Sequence, residues 1–152
     1  MRNAERSTPA AVDPKSVIMA VFSRTKAAGS STACILSLAG NHLRAANFGD
    51  SGFMVIRRGS VIFRSPAQVW GFNVPYQLEG RLREGPGRAE EMAVEVQSGD
   101  VVVAATDGLF DNLFPEDVEA VVGRCLSEGL EPQMVARELA EVAHVNDVVL
   151  GV

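Results

Sequence analysis

Between Thr32 and Phe63, short apolar runs alternate with tight turn signals, and this rhythm restricts the chain to an antiparallel meander. Thr32 to Leu38 reads as a strand, Gly40-Asn41 as a turn in which positive φ comes easily, and Leu43 to Phe48 as the return strand. Gly49-Asp50-Ser51-Gly52 turns again, and Phe53 to Ile56 forms a third strand. Arg57-Arg58-Gly59-Ser60 is the next turn, and Val61 to Phe63 is the fourth strand. Residues 65 to 90 carry Pro66, Pro75, Gly80, Gly85, Pro86 and Gly87, which break any period, so this stretch reads as a surface loop of a length that often serves function. Met92 to Val96 alternates as a strand, and Ser98-Gly99-Asp100 turns the chain once more.

Helices flank this block. Asp13 is placed to cap a helix that has Pro14 in its first turn, carries Val17, Ile18, Val21 and Phe22, and ends at Lys26 and Gly29. Pro115 starts a helix with Val118, Val121, Val122, Cys125 and Leu126, and Gly129 ends it. Pro132 starts another, with Val135, Leu139 and Val142 on one face. Asp147 to Val152 reads as a short closing strand. Helix, strands, then helices is the order of an α+β fold. At 152 residues and 47% apolar content the chain suits one domain with its own core. Residues 1–11 read as a frayed tail without the apolar stretch of a secretory signal. The formal charge is -5 and basic runs are absent, which speaks against nucleic acid. No apolar run approaches the ~20 residues that span a bilayer. Cys34 and Cys125 read as two small buried hydrophobes in a reducing compartment, not a disulfide framework.

Chemistry enters at Asp107. The run Val101 to Thr106 is apolar and β-branched, reads as a buried strand, and ends on this carboxylate, with Gly108 giving the backbone freedom to turn beside it. A carboxylate there needs a partner: either a hard divalent cation or the N–H groups of a following helix that it caps. Asp50 has the same two readings, cation ligand or ordinary turn residue. Asp111 and Asn112 follow Asp107 at the spacing of a first helical turn, with Asp111 near a helix start; they invite a ligand reading too, and the structural role is favoured over it. His42 and His144 stand alone, as solvated or capping residues. Trp70 and Phe72 pack the loop down or shape a recognition surface.

Three segments together resemble one family. Gly29-Ser30-Ser31-Thr32-Ala33, Asn47-Phe48-Gly49-Asp50-Ser51 and Gly99-Asp100 followed by Asp107-Gly108-Leu109-Phe110-Asp111 are similar to the G-S-T-A, N-x-G-D-S and G-D…D-G-x-x-D motifs of the metal-dependent type-2C (PPM) serine/threonine protein phosphatases. Ser65-Pro66-x-Gln68, Tyr76-Gln77-Leu78 and the stretch Thr106 to Leu113 resemble a subgroup common in plant plastids and mitochondria. The resemblance implies a partial phosphatase 2C-like antiparallel sandwich with flanking helices, over residues 12–152. It implies a soluble intracellular protein of plastid or mitochondrion, phosphoprotein substrates, and two Mg²⁺ or Mn²⁺ ions that activate water. By resemblance Asp107 is a metal ligand, with Gly108 beside it, and Asp50 shares a weaker metal site with Asp107. No catalytic residue is implied beyond the metal ligands.

The family pattern departs in two places. Its opening strands, with a phosphate-binding Arg and an Asp-Gly pair that bridges both metals, have no counterpart, and its closing metal-binding Asp falls on Asn146 in the simplest register. Asn offers a carbonyl oxygen but no charge. Asp147 replaces it as a metal ligand only if the strand shifts by one residue, which flips its faces. Trp70 stands where the family has a His in its loop. The expectations are therefore an incomplete phosphatase domain, shortened at the N-terminus and near the C-terminus, with weak metal binding and little phosphatase activity by itself. An uncovered sheet edge is expected to invite association. The alternative is a non-catalytic pseudophosphatase or protein-interaction module.

Overall fold

The structure, a computed structural model, describes residues 12–79 and 85–150, so the expected tail over residues 1–11 lies outside the described residues. Helix α1, Pro14–Arg24, begins as its sequence dictates: the Asp13 side chain accepts the Ser16 N–H at 3.1 Å and Pro14 occupies the first turn. It ends at Thr25, earlier than Lys26 and Gly29 suggest, because the Thr25 N–H and hydroxyl both donate to the Val21 carbonyl.

The meander follows as β1 (Ser30–Ser31), β2 (Ala33–Ala39), β3 (His42–Phe48), β4 (Gly52–Arg57) and β5 (Ser60–Arg64). Ala39 pairs with His42 across Gly40-Asn41, and Arg57 pairs with Ser60 across Arg58-Gly59. Both central residues of the second turn have positive φ, the twist that suits a two-residue hairpin.

The expected loop over 65–90 is more ordered than its Pro and Gly content suggests. It holds β6 (Val69–Gly71), β7 (Val74–Pro75), β8 (Leu78–Glu79) and a 3₁₀ turn at Pro86–Arg88. β6 and β7 pair around Phe72-Asn73, and β8 pairs with β1. Trp70 stacks on Tyr76 at 4.4 Å, and this ring contact offsets the breakers. Phe72, at the hairpin tip, is 99% exposed and packs nothing down.

β9 (Glu90–Glu95) and β10 (Val101–Ala105) complete two sheets, ordered β2-β3-β9 and β10-β4-β5 among the described residues. Alternation along β3 and β4 builds the layers. Leu43, Ala45, Phe53 and Val55 meet between the sheets. Ala46 and Phe48 face the other way, against Ile18 of α1. Met54 and Ile56 face helices α3 (Pro115–Ser127) and α4 (Pro132–Leu150) through Val118, Val122, Cys125 and Leu139. The result is a four-layered helix–sheet–sheet–helix sandwich, each interface made by the period-two pattern of a strand. Cys125 is buried and Cys34 half-buried, both as free thiols.

Two further expectations are corrected. Val101 to Thr106 is not a buried strand: among the described residues β10 lies at its sheet's edge beside β4, with Val102 and Ala104 exposed. Asp147 onward is not a strand over the described residues: α4 runs to Leu150, since no Gly or Pro after Pro132 stops it before Gly151. Asn146 and Asp147 are therefore helical.

Candidate functional site

The register of one hairpin-like pair brings the first two carboxylates together. Ala105 of β10 pairs with Gly52 of β4, and there the ladder ends. Asp107 lies two residues past Ala105, and Asp50 two residues before Gly52, so both leave the sheet at the same end of neighbouring strands. Asp107 then opens the four-residue helix α2, Asp107–Phe110, behind Thr106 as N-cap. Its Oδ1 accepts the N–H of Gly108 at 2.8 Å, a local bond that helps fix the side chain. The Asp111 N–H donates to the Asp107 carbonyl at 2.8 Å, which places Asp111 one turn on, at the C-terminal cap of α2. The expectation that Asp111 sits near a helix start is thereby reversed.

Asp50 feels the other two carboxylates. Burial raises the Asp50 carboxyl above its ordinary value, Asp107 and Asp111 raise it further by repulsion, and the backbone N–H groups of Asp50 and Ser51 oppose the rise. A cavity of about 320 Å³ opens here, lined by Asp50, Gly52, Arg64, Ser65, Phe110 and Asp111. The Arg64 guanidinium lies 5.6 Å from the centre of the Phe110 ring, on the rim of the same cavity.

The turn that presents Asp50 is held from several directions. Gly49 has φ +108, and a Cβ there would lie 2.4 Å from the Thr32 methyl and 2.5 Å from the Tyr76 carbonyl. Only glycine fits both conditions. Thr32 and Ser51 join their hydroxyls at 2.6 Å, so the first two sequence segments meet in space. Asn47 is fully buried and donates to the Gly49 carbonyl at 3.1 Å. Gln68 donates its N–H to the same carbonyl, which fastens the following loop to the turn.

Asp147 is not brought into this cavity. It lies exposed on α4, lining a separate groove with Ala105, Thr106, Gly108, Asn112 and His144. Asn146 donates from Nδ2 to the Asn112 carbonyl at 3.0 Å, pinning α4 to the end of α2. Gly108 adopts no positive φ, and a Cβ there would meet only Thr106 Oγ1 at 3.6 Å, so the sharp turn expected of it is not used. Asp111 lines the same cavity as Asp50, and its i,i+4 spacing from Asp107 puts both on one helical face.

Among the described residues, no three His, Cys, Asp or Glu side chains form a group able to hold a metal ion. The carboxylates of Asp50, Asp107 and Asp111 crowd one another without converging. The residues present do not by themselves assemble a two-ion centre.

Known proteins similar to the chain fit this geometry. "Probable protein phosphatase 2C 80" of Arabidopsis thaliana is 46% identical over 140 residues, which is 91% of this chain and 34% of that protein. "Putative protein phosphatase 2C 24" of Oryza sativa subsp. japonica is 46% identical over 132 residues, covering 87% and 41%. "Protein phosphatase PTC7 homolog" of Danio rerio is 41% identical over 128 residues, covering 77% and 43%. The chain thus spans about a third to two-fifths of the length of these curated relatives. Among solved structures, that of the photosystem II phosphatase PBCP superposes with a TM-score of 0.81 at 34% identity, over 86% of this chain and 51% of the other. The catalytic domain of the serine/threonine phosphatase PstP, in complex with two manganese ions, shares the fold with a TM-score of 0.61 at 19% identity, over 87% and 60%. No protein-family profile matches the chain.

Proposed function

The chain belongs to the protein phosphatase 2C family, and from that membership we propose that its chemistry is the removal of phosphate from phosphoserine and phosphothreonine in proteins, dependent on Mg²⁺ or Mn²⁺. The single observation that carries this reading is the juxtaposition of Asp50 and Asp107 at one end of β4 and β10. Three neighbouring carboxylates repel a phosphate dianion, so this end accepts a phosphoryl group only after cations have offset their charge. Asp50 and Asp107 are the proposed metal ligands, with Asp111 beside them. Asp147 takes part only if α4 reorganises at its end. Gly108 is proposed as a lining residue next to Asp107, with no donor of its own toward a cation beyond its backbone.

Turnover by the 152-residue chain alone is low on this reading, because the carboxylates do not converge on a complete centre. A second reading rests on the same observation: the sandwich serves as a non-catalytic binding module, a pseudophosphatase. Dephosphorylation of a phosphoserine peptide, measured with and without Mn²⁺, separates the two. Slow turnover that requires Mn²⁺ and disappears in both Asp50→Ala and Asp107→Ala supports the enzyme. No turnover together with no Mn²⁺ binding supports the module. Robust turnover that survives Asp107→Ala refutes the assignment of the site. Likeness to a photosystem II phosphatase supports a plastid as the compartment, with a mitochondrion as the other reading. No helix among the described residues is long and apolar enough to cross a membrane.

A further inference from the structure

Two serines of the chain stand three residues after an arginine: Ser60 in Arg57-Arg58-Gly59-Ser60 and Ser127 in Arg124-Cys125-Leu126-Ser127. The fold treats them differently. Ser127 ends α3, its hydroxyl donates to the Arg124 carbonyl at 2.7 Å, and Glu138 holds the Arg124 guanidinium at 2.8 Å. Hydroxyl and cation are both committed there, on a helix that would have to unwind. Ser65, which Pro66 follows, is buried, and its Oγ accepts the Phe53 N–H. Ser60 is exposed where the two-residue turn of Arg58 and Gly59 carries the chain off the end of β4 and back into β5. Among the described residues, neither the Ser60 hydroxyl nor the exposed Arg58 side chain has a hydrogen bond or ion pair. Arg57 is held by Asp100, so Arg58 is the cation this turn offers. Arg58 has φ +51, a backbone region unfavourable for a residue with a Cβ, and Gly59 has φ +83. Arg57 and Ser60 on either side are already strand residues. Unwinding the two turn residues thus extends the whole stretch and relieves Arg58.

We propose that Ser60 is a phosphoacceptor for a protein kinase that selects arginine ahead of its target serine. A kinase of that class meets the substrate's arginines with carboxylates of its own, and Arg58 supplies the matching charge. In the transfer, Ser60 Oγ attacks the terminal phosphorus of a nucleoside triphosphate bound to the kinase. The new O–P bond forms as the bond from that phosphorus to the bridging oxygen breaks. The hydroxyl proton passes to a carboxylate of the kinase, and the nucleoside diphosphate leaves. The product carries a phosphate monoester at the start of β5, whereas Arg64 at the other end of that strand lines the carboxylate cavity. The inference therefore stands apart from the phosphatase reading, since Ser60 takes no part in that site.

The test incubates the folded 152-residue chain with ATP and one of two probe kinases. The catalytic subunit of cyclic-AMP-dependent protein kinase selects arginine-preceded serine, and casein kinase 2 selects acidic surroundings. Asp107→Ala is run in parallel, so that self-dephosphorylation cannot hide the product. Mass spectrometry is expected to find Ser60 as the first site modified by the arginine-selecting kinase, ahead of Ser127 and Ser65. Ser60→Ala is expected to abolish that product. Arg58→Asn keeps a residue that tolerates positive φ but removes the charge, and is expected to slow modification at least about tenfold. Both variants are expected to keep the circular dichroism and thermal unfolding of the unaltered chain. No modification of Ser60 in either background, modification only after heat denaturation, an equal rate with casein kinase 2, or a rate unchanged by Arg58→Asn overturns the proposal.

Discussion

A methyl group at Gly52 would stand 2.3 Å from Ser65 Oγ, the acceptor of the Phe53 N–H at 2.8 Å. Gly52→Ala must therefore push Ser65 aside and leave a buried N–H short of its partner, at a cost of about 1–3 kcal/mol in urea unfolding. Adding Ser65→Ala to Gly52→Ala should cost less than the sum of the two single changes, because both act on the same contact. Asp100 shows a different residue-level device. Its carboxylate accepts from Arg57 Nε at 2.9 Å and Nη2 at 2.8 Å and from the Gln97 N–H at 2.9 Å, and its side chain is only 3% exposed. The Arg57 bonds first, then the backbone bond, hold its carboxyl at about 2 against an ordinary 3.8. An acid so depressed stabilises the fold above pH 3.8, and that contribution is lost as the pH falls toward about 2. Asp100→Asn should accordingly lower the melting temperature at pH 6, with the gap from the unaltered chain closing between those two values. Asp50 has the opposite sign. Its raised carboxyl is an energetic liability when ionised, so Asp50→Asn should raise the melting temperature at pH 7 in metal-free buffer, and the difference should shrink as acid protonates the carboxylate.

Elements owe their positions to one-sided patterns that find a matching face. α3 is placed by Val118, Val121, Val122 and Cys125, which recur at helical spacing and meet Met54 and Ile56 of β4. Because Val122 is wholly buried at that junction, Val122→Ala should destabilise the chain by about 2–3 kcal/mol, from lost burial plus the cavity left behind. The expected drop in the urea midpoint without a change in its slope would show that the fold itself is kept. α2 is a single turn, placed by the end of β10, by Leu109 and Phe110 packing against the helix-side core, and by the Asn146 bond to Asn112. The hairpin of β6 and β7 depends on the stack of Trp70 on Tyr76 and on the bond from Tyr76 N to Gln68 O at 2.9 Å.

Across the whole molecule, the carboxylate end of the sandwich is assembled from parts distant in sequence, with Arg64 as the cation lining the same cavity among the described residues. One millimolar Mn²⁺ should stabilise the fold by less than about 0.5 kcal/mol, as expected of a dissociation constant near or above that concentration. Asp107→Ala should remove even that increment in a thermal scan, and a shift several-fold larger would show that the centre closes around the ion. The sequence by itself determined the meander, its turns, α1, α3 and the start of α4, because strand and helix periods, Pro at helix starts and Gly at hairpin tips are local signals. It also singled out Asp50 and Asp107, through motif resemblance. Only the tertiary structure decided the rest. The edge position of β10 depends on which strands adjoin it, which no local pattern encodes. The short strands within 65–90 exist through contacts with β1 and between Trp70 and Tyr76, partners outside each strand's own few residues. The separation of Asp147 from Asp50 follows from α4 continuing past Asn146 as a helix. Asp111 lies one turn from Asp107 by spacing along the chain, but both come near Asp50 only because β10 pairs beside β4, which is a property of three-dimensional closure.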